Sequence, residues 1–169
     1  MALEAYQPRF TLYTRDSSVL AFVRTHVPES LSLSLKMPGS SLWLLPPTSH
    51  PLNSLLSTLI DKTSSHFQSP HRFLPHVTLT SEINASAYES DPQAWLDSLN
   101  IQLGHEIPVK FEKLNSEDVF VRKLYIKCEK TEALVLLAQR CRQQVKGFEE
   151  VGKAQEWAKE SYTPHLSLL

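Results

Sequence analysis

The sequence predicts an α+β fold: a bilobal, pseudo-twofold arrangement of antiparallel sheets around a central cleft, with helices packed outside. Two observations carry this. The order strand, helix, loop, strand runs twice along the chain, and each pass ends on the same unusual phrase. FLPHVTLT spans Phe73–Thr80 and YTPHLSLL spans Tyr162–Leu169. Each reads aromatic, any residue, Pro, His, aliphatic, hydroxyl, Leu.

Residues 1–40 are weakly patterned and end in KMPGSS, where Pro38 and Gly39 punctuate the chain. They read as an N-terminal extension with marginal structure of its own, ahead of a two-lobed domain over residues 41–169. SLWLLPP, from Ser41, reads as a short buried strand closed by Pro46 and Pro47. Leu52, Leu55, Leu56, Leu59 and Ile60 then fall at helical spacing as core, with Pro51 suited to a first helical turn. A loop rich in Ser, His and Pro leads into the first phrase. A helix starting at Asp91-Pro92 and a strand near Val109–Leu114 lie between the two passes, and the turn NSED joins that strand to the next as a hairpin. In VFVRKLYIKCE, Leu124, Ile126 and Cys128 share one face and Tyr125 and Lys127 the other. Thr131 is placed to cap a helix whose apolar stripe is Leu134, Leu137, Ala138, Cys141 and Val145. Gly147 and Gly152 mark a loop, and the second phrase follows.

Residues i and i+2 of a strand point to one side. His76 therefore projects with Thr78, and His165 with Ser167, while Val77, Leu79, Leu166 and Leu168 turn towards the helices packed behind. Two imidazoles near neutral pH can serve as a neutral base and a protonated acid. Fixed hydroxyls can donate to an anionic oxygen between them. This set suits a phosphodiester, which needs a base for water, an acid for the departing ribose oxygen and donors for the nonbridging oxygens. A peptide would call for a nucleophile beside a base oriented by a carboxylate, and neither phrase holds a carboxylate.

Bulk properties agree. Lysine plus arginine (17) nearly balances aspartate plus glutamate (18), which argues against a protein that coats long nucleic acid. Cys128 and Cys141 cannot supply a disulfide scaffold or a four-cysteine zinc site. They read as free buried thiols, with one disulfide as the alternative. No apolar run is long enough to span a bilayer, and the N-terminus lacks a secretory pattern.

The two phrases match the H-x-[ST]-aliphatic signature, and on that ground the chain resembles the two-histidine (2H) phosphoesterase superfamily. With the upstream SLWLLPP strand it is most similar to the fungal and plant 2′,3′-cyclic-nucleotide 3′-phosphodiesterases, over roughly Ser41 to Leu169. The resemblance implies metal-independent hydrolysis of nucleoside 2′,3′-cyclic phosphates to 2′-phosphates, without a cofactor. It extends the expected substrates to ADP-ribose 1″,2″-cyclic phosphate from tRNA splicing. Carried across, His76 and His165 are the catalytic pair and Thr78 and Ser167 hold the phosphate; no metal site is implied. The expected partner is a small cyclic nucleotide bound by a monomer. Location in the Golgi apparatus is implied by the family alone, with the cytoplasm as alternative. Family members usually continue past the second motif, so a second lobe incomplete at its C-terminus is expected here. The alternative functions are an RNA-end 2H phosphoesterase, or a noncatalytic nucleotide-binding module if the chain is truncated.

Taken singly, His76 or His165 would be an ordinary structural histidine; the matched context makes the case. His66, His71 and His76 recur every five residues, a spacing that fits neither one helical face nor the usual zinc fingers. His26, His50 and His105 read as surface residues. Trp43, Phe120, Tyr125, Trp157 and Tyr162 are candidates to stack on a base, and Arg72 and Lys110 to attract an anion.

Overall fold

The computed structural model describes residues 9–15, 20–26, 40–101, 107–119 and 122–169. Among these, one sheet holds β1 (Arg9–Arg15), β2 (Leu20–His26), β3 (Ser40–Leu44) and β4 (Val77–Ile83) in that order, each pair antiparallel. The other holds β5 (Phe111–Asn115), β6 (Tyr125–Cys128) and β7 (His165–Ser167), also antiparallel. The α+β expectation is met. The first sheet reaches back into the N-terminal extension through β1 and β2; His105 and Phe120 lie outside the described residues.

The helices start where the sequence places them. Helix α1 (Pro51–His66) opens on Pro51, and its exposed first turn is capped by His50, whose Nδ1 accepts from the Leu52 amide at 3.1 Å. His50 thus has a structural task that its isolation in the sequence hid. Asp91 caps α2 (Pro92–Ser98) by accepting from the Ala94 amide, and Thr131 caps α3 (Glu132–Arg142) by accepting from the Leu134 amide. One helix was not expected. The segment read as a loop around Gly152 is α4 (Val151–Glu160), and only Gly147, at φ 92°, occupies a turn. Ala154 and Ala158, four residues apart and buried, form a small-residue face, and α4 contacts α3.

Helices α1 and α3 do not pack behind the strands they follow in sequence, whereas α2 packs on the sheet of β4, the strand it follows. Leu56 and Ile60 of α1 bury against Leu166 and Leu168 beside Leu124 and Ile126, on the second sheet. Leu134, Leu137, Ala138 and Cys141 of α3 join Leu42, Leu44, Val77 and Leu79 on the first sheet, with α2 alongside. Each half of the chain lends its helix to the other half's sheet. Leu55 stays 64% exposed and Leu59 38%, so the helix at 52–60 is core on a narrower face than its leucines suggest. Cys128 and Cys141 are free and buried, as expected.

Strand β4 also departs from simple alternation. Thr78 lies opposite Trp43, yet Thr80 lies opposite Leu42, so two steps along β4 match one along β3. Leu79 is the extra residue of a β-bulge. Consequently Leu79 (0% exposed) and Thr80 (1%) both turn inward.

Because each sheet's core needs the opposite half's helix, unfolding is expected to be one cooperative event. Leu134→Ala should cost about 2–5 kcal/mol in urea titrations, with fluorescence and circular dichroism midpoints moving together. Two separated transitions, one per sheet, would contradict the exchanged packing.

Candidate active site

The two phrases build matching local structure. In each, Pro precedes the histidine and fixes the chain so that the imidazole folds back onto the carbonyl two residues earlier. The Nδ1 of His76 lies 2.7 Å from the Leu74 carbonyl, and that of His165 lies 2.9 Å from the Thr163 carbonyl. A carbonyl only accepts, so Nδ1 carries the proton and donates in both, leaving Nε2 as the nitrogen free for chemistry.

The neighbouring strand repeats as well. Trp43 sits opposite Thr78 in the first sheet and Tyr125 opposite Ser167 in the second. Both aromatics touch the histidine: Trp43 stacks on His76 at 3.6 Å with 13° between planes, whereas Tyr125 meets His165 edge-on at 5.4 Å. The core-facing residues of both strands are covered by the exchanged helices. Strands β4 and β7 are in contact, and the His165 charge disfavours protonation of His76. The two imidazoles share one region rather than opposite surfaces.

Their environments differ. Burial pushes the His76 pKa down to about 4, against the Leu74 carbonyl, which favours the cation, and with a further lowering from His165. Burial also lowers His165, but less completely. The Thr163 carbonyl and Glu117 favour its cation, and Arg122 opposes it. Glu117 belongs to a network on that side. It accepts from the Tyr125 hydroxyl and pairs with Arg122 at 3.0 Å, while Asn115 Nδ2 donates to the Tyr125 oxygen at 2.9 Å. Lys127, directly opposite His165, pairs with Glu112 at 2.9 Å.

Of the predicted site residues, Ser167 and His76 are buried and Thr78 and His165 half-buried, all four on the paired motif strands or the residue leading into them. A cavity of about 450 Å³ opens beside His76, walled by Leu44, Pro46, Val77, Pro108 and Leu166. Thr78, His165 and Ser167 are not among its lining residues. The other candidates have different work. Arg72 is tied to Ser69, His71 and Asp61, and Lys110 pairs with Glu129. Tyr162 is core, and Trp157 packs beside it. Among the described residues no group of three or more His, Cys, Asp or Glu side chains is arranged to hold a metal ion, and His66, His71 and His76 do not gather into one. Glu117, Arg122 and Lys127 are additions that the sequence did not single out.

A family model described as cyclic phosphodiesterase-like protein matches residues 37–169. The chain belongs to that family. Its boundary falls just before β3, so the match takes in both histidine phrases and the strands that pair with them. A 2′,3′-cyclic-nucleotide 3′-phosphodiesterase of Phaeosphaeria nodorum is 69% identical over 133 residues, covering 79% of this chain and 69% of that protein. Proteins of the same name from Neurospora crassa and Yarrowia lipolytica are 39% and 30% identical, covering 79% and 78% of this chain and 71% and 72% of theirs.

Both histidines are held neutral by burial, so the unfolded chain takes up protons first as pH falls. Stability should be full above about pH 6.5 and decline towards pH 4, His76 alone accounting for on the order of 3 kcal/mol. His76→Gln should flatten the thermal-stability profile across that window. An unchanged slope would show that His76 is not the buried neutral group described.

Proposed function

We propose that this chain hydrolyses nucleoside 2′,3′-cyclic phosphates to nucleoside 2′-phosphates, with His76 as general base and His165 as general acid. The observation that carries the reading is the matched pair of imidazoles, each with Nδ1 committed to a carbonyl and Nε2 free. The family and the names of the relatives support the substrate class.

In this scheme Nε2 of His76 takes a proton from water as the water oxygen forms a bond to phosphorus. The bond from phosphorus to O3′ breaks, and Nε2–H of His165 delivers its proton to O3′. Thr78 and Ser167 donate to the nonbridging oxygens, on which charge accumulates. Burial against Trp43 keeps His76 unprotonated, as a base must be; burial lowers His165 as well, with the Thr163 carbonyl and Glu117 working against that lowering and Arg122 adding to it. A bound phosphate would raise the His165 pKa further, since an opposite charge favours the cation. All roles are met by side chains, which supports hydrolysis without a metal. Both histidines come from one chain, which supports a monomer as the catalytic unit. The near-balanced charge favours a small substrate over long nucleic acid. ADP-ribose 1″,2″-cyclic phosphate presents the same five-membered cyclic ester on a ribose and falls within the proposal. Among the described residues no helix is long and apolar enough to cross a membrane. A Golgi location rests on the family resemblance, and imaging of the tagged full chain tests it.

His76→Ala and His165→Ala should each lower turnover of 2′,3′-cyclic AMP by about a hundred- to ten-thousandfold. The double variant should fall well short of the product of the two losses, because the pair acts as one unit. Thr78→Ala and Ser167→Ala should cost about 1–4 kcal/mol of transition-state stabilisation. Activity should persist in EDTA; loss on chelation with recovery on zinc would overturn the scheme. Nucleotide binding without turnover by the unaltered chain would favour a noncatalytic module.

The pH dependence follows from the same assignment. The acid limb of kcat/KM should lie near pH 4, set by protonation of His76, and the alkaline limb at or below about 6.5, set by loss of the His165 proton. The alkaline limb of kcat should sit higher, since bound phosphate holds that proton. A kcat/KM profile flat from pH 5 to 9 would contradict the assignment.

A further inference from the structure

We propose that Arg142 is a positioning residue for the phosphate-binding strand: it holds the bulge in β4 that sets the aim of Thr78. The proposal rests on the cyclic-phosphate reading, in which Thr78 donates to the substrate.

Arg142 ends α3, the helix lent to the first sheet by the second half of the chain, and is only 5% exposed. A guanidinium buried to that degree must be met by acceptors or it destabilises the fold. Its polar partners are three consecutive residues of β4. Nη1 donates to Thr80 Oγ1 at 3.1 Å and to the Ser81 carbonyl at 2.8 Å, and Nη2 lies 3.5 Å from the Glu82 carboxylate. The guanidinium packs on Phe148 and Trp157, with ring centroids 3.9 and 4.8 Å away. The fork therefore has a fixed direction before it meets the strand.

What it grips is the irregular part of β4. Without the extra residue at Leu79, Thr80 would share the face of Thr78 and His76. The bulge instead turns Thr80 towards the core, where its hydroxyl meets Arg142. At the far end of the gripped segment, Glu82 adopts φ 63°, a left-handed conformation rare for a residue with a side chain. The gripped segment thus starts at the bulge and ends on a left-handed residue, and Thr78 stands immediately before the bulge. Bulges beside functional sites commonly re-aim a side chain. A bulge with a buried polar residue needs a partner to stay in register, and Arg142 is placed to be that partner. Lysine has no planar fork with which to reach Thr80 and Ser81 from one nitrogen and Glu82 from another.

The test is a double-mutant cycle on 2′,3′-cyclic AMP. Arg142→Met and Thr80→Val are each made alone and together with Thr78→Ala, and the rates are normalised to folded protein by thermal melts. Arg142→Met is expected to lower kcat about ten- to hundredfold with little change in KM, Thr80→Val to act in the same direction more weakly, and Arg142→Lys to restore little. In the Thr78→Ala background both effects on kcat should shrink to within about twofold, since the group they position is gone. Effects that multiply undiminished in that background, or that vanish on normalisation, would overturn the proposal. Where Arg142→Met does not fold, Thr80→Val carries the same comparison. If the unaltered chain has no turnover, the cyclic-phosphate reading fails by itself. Amide hydrogen exchange then decides the positioning claim: Thr80→Val should speed exchange selectively across residues 78–82, and unchanged exchange there overturns it.

Discussion

Neither sheet of this protein covers its own core. The helix after β3 closes the second sheet through Leu56 and Ile60, and the helix after β6 closes the first through Leu134, Leu137 and Cys141. Each half therefore completes its apolar burial only when the other is in place. The same exchange leaves one face of each motif strand uncovered by helix, the face carrying His76 and Thr78 or His165 and Ser167. Core packing thus brings into contact two histidine-bearing strands whose histidines are 89 positions apart in the chain. A site built this way is rigid without any disulfide, and the two cysteines present are free and buried within the same core.

Within that frame the two halves repeat one device and then diverge. A proline before each histidine and a carbonyl two residues back fix the tautomer, and an aromatic on the adjacent strand faces the hydroxyl. The divergence lies in what surrounds the ring. Trp43 covers the face of His76 and leaves it no charged partner to favour the cation, whereas His165 meets the edge of Tyr125 in a setting shared with Glu117 and Arg122. Burial lowers the proton affinity of both rings, and it is the more completely buried His76 that is pushed as far as about 4. An acid–base reaction needs that inequality, which a perfectly symmetric site could not supply.

Much of this was legible in the residues. Strand alternation placed Val77 and Leu79 inside and Thr78 towards the site, and Pro51, Asp91 and Thr131 marked helix starts that the structure keeps. These signals are local, and a few neighbouring residues decide them. The features that sequence missed depend on distant partners. Which sheet a helix covers is not encoded in its own stripe, so the exchange of α1 and α3 was invisible. The glycine at 152 outweighed the Ala154, Trp157 and Ala158 spacing that in fact forms α4. The bulge at Leu79 reads in the sequence as a regular strand, and it becomes apparent only from the pairing with β3. Arg142 stands at a helix end, where cations are common, and its burial under Phe148 and Trp157 is a tertiary fact.

The central claim is that water is activated on one side of the phosphate while a proton is delivered to O3′ on the other. Hydrolysis of 2′,3′-cyclic AMP in water enriched in oxygen-18, followed by phosphorus NMR, tests it most directly. The account predicts a single product, adenosine 2′-phosphate, with one labelled oxygen on phosphorus and none on the ribose. Adenosine 3′-phosphate as the main product, or label in the ribose hydroxyl, would contradict it.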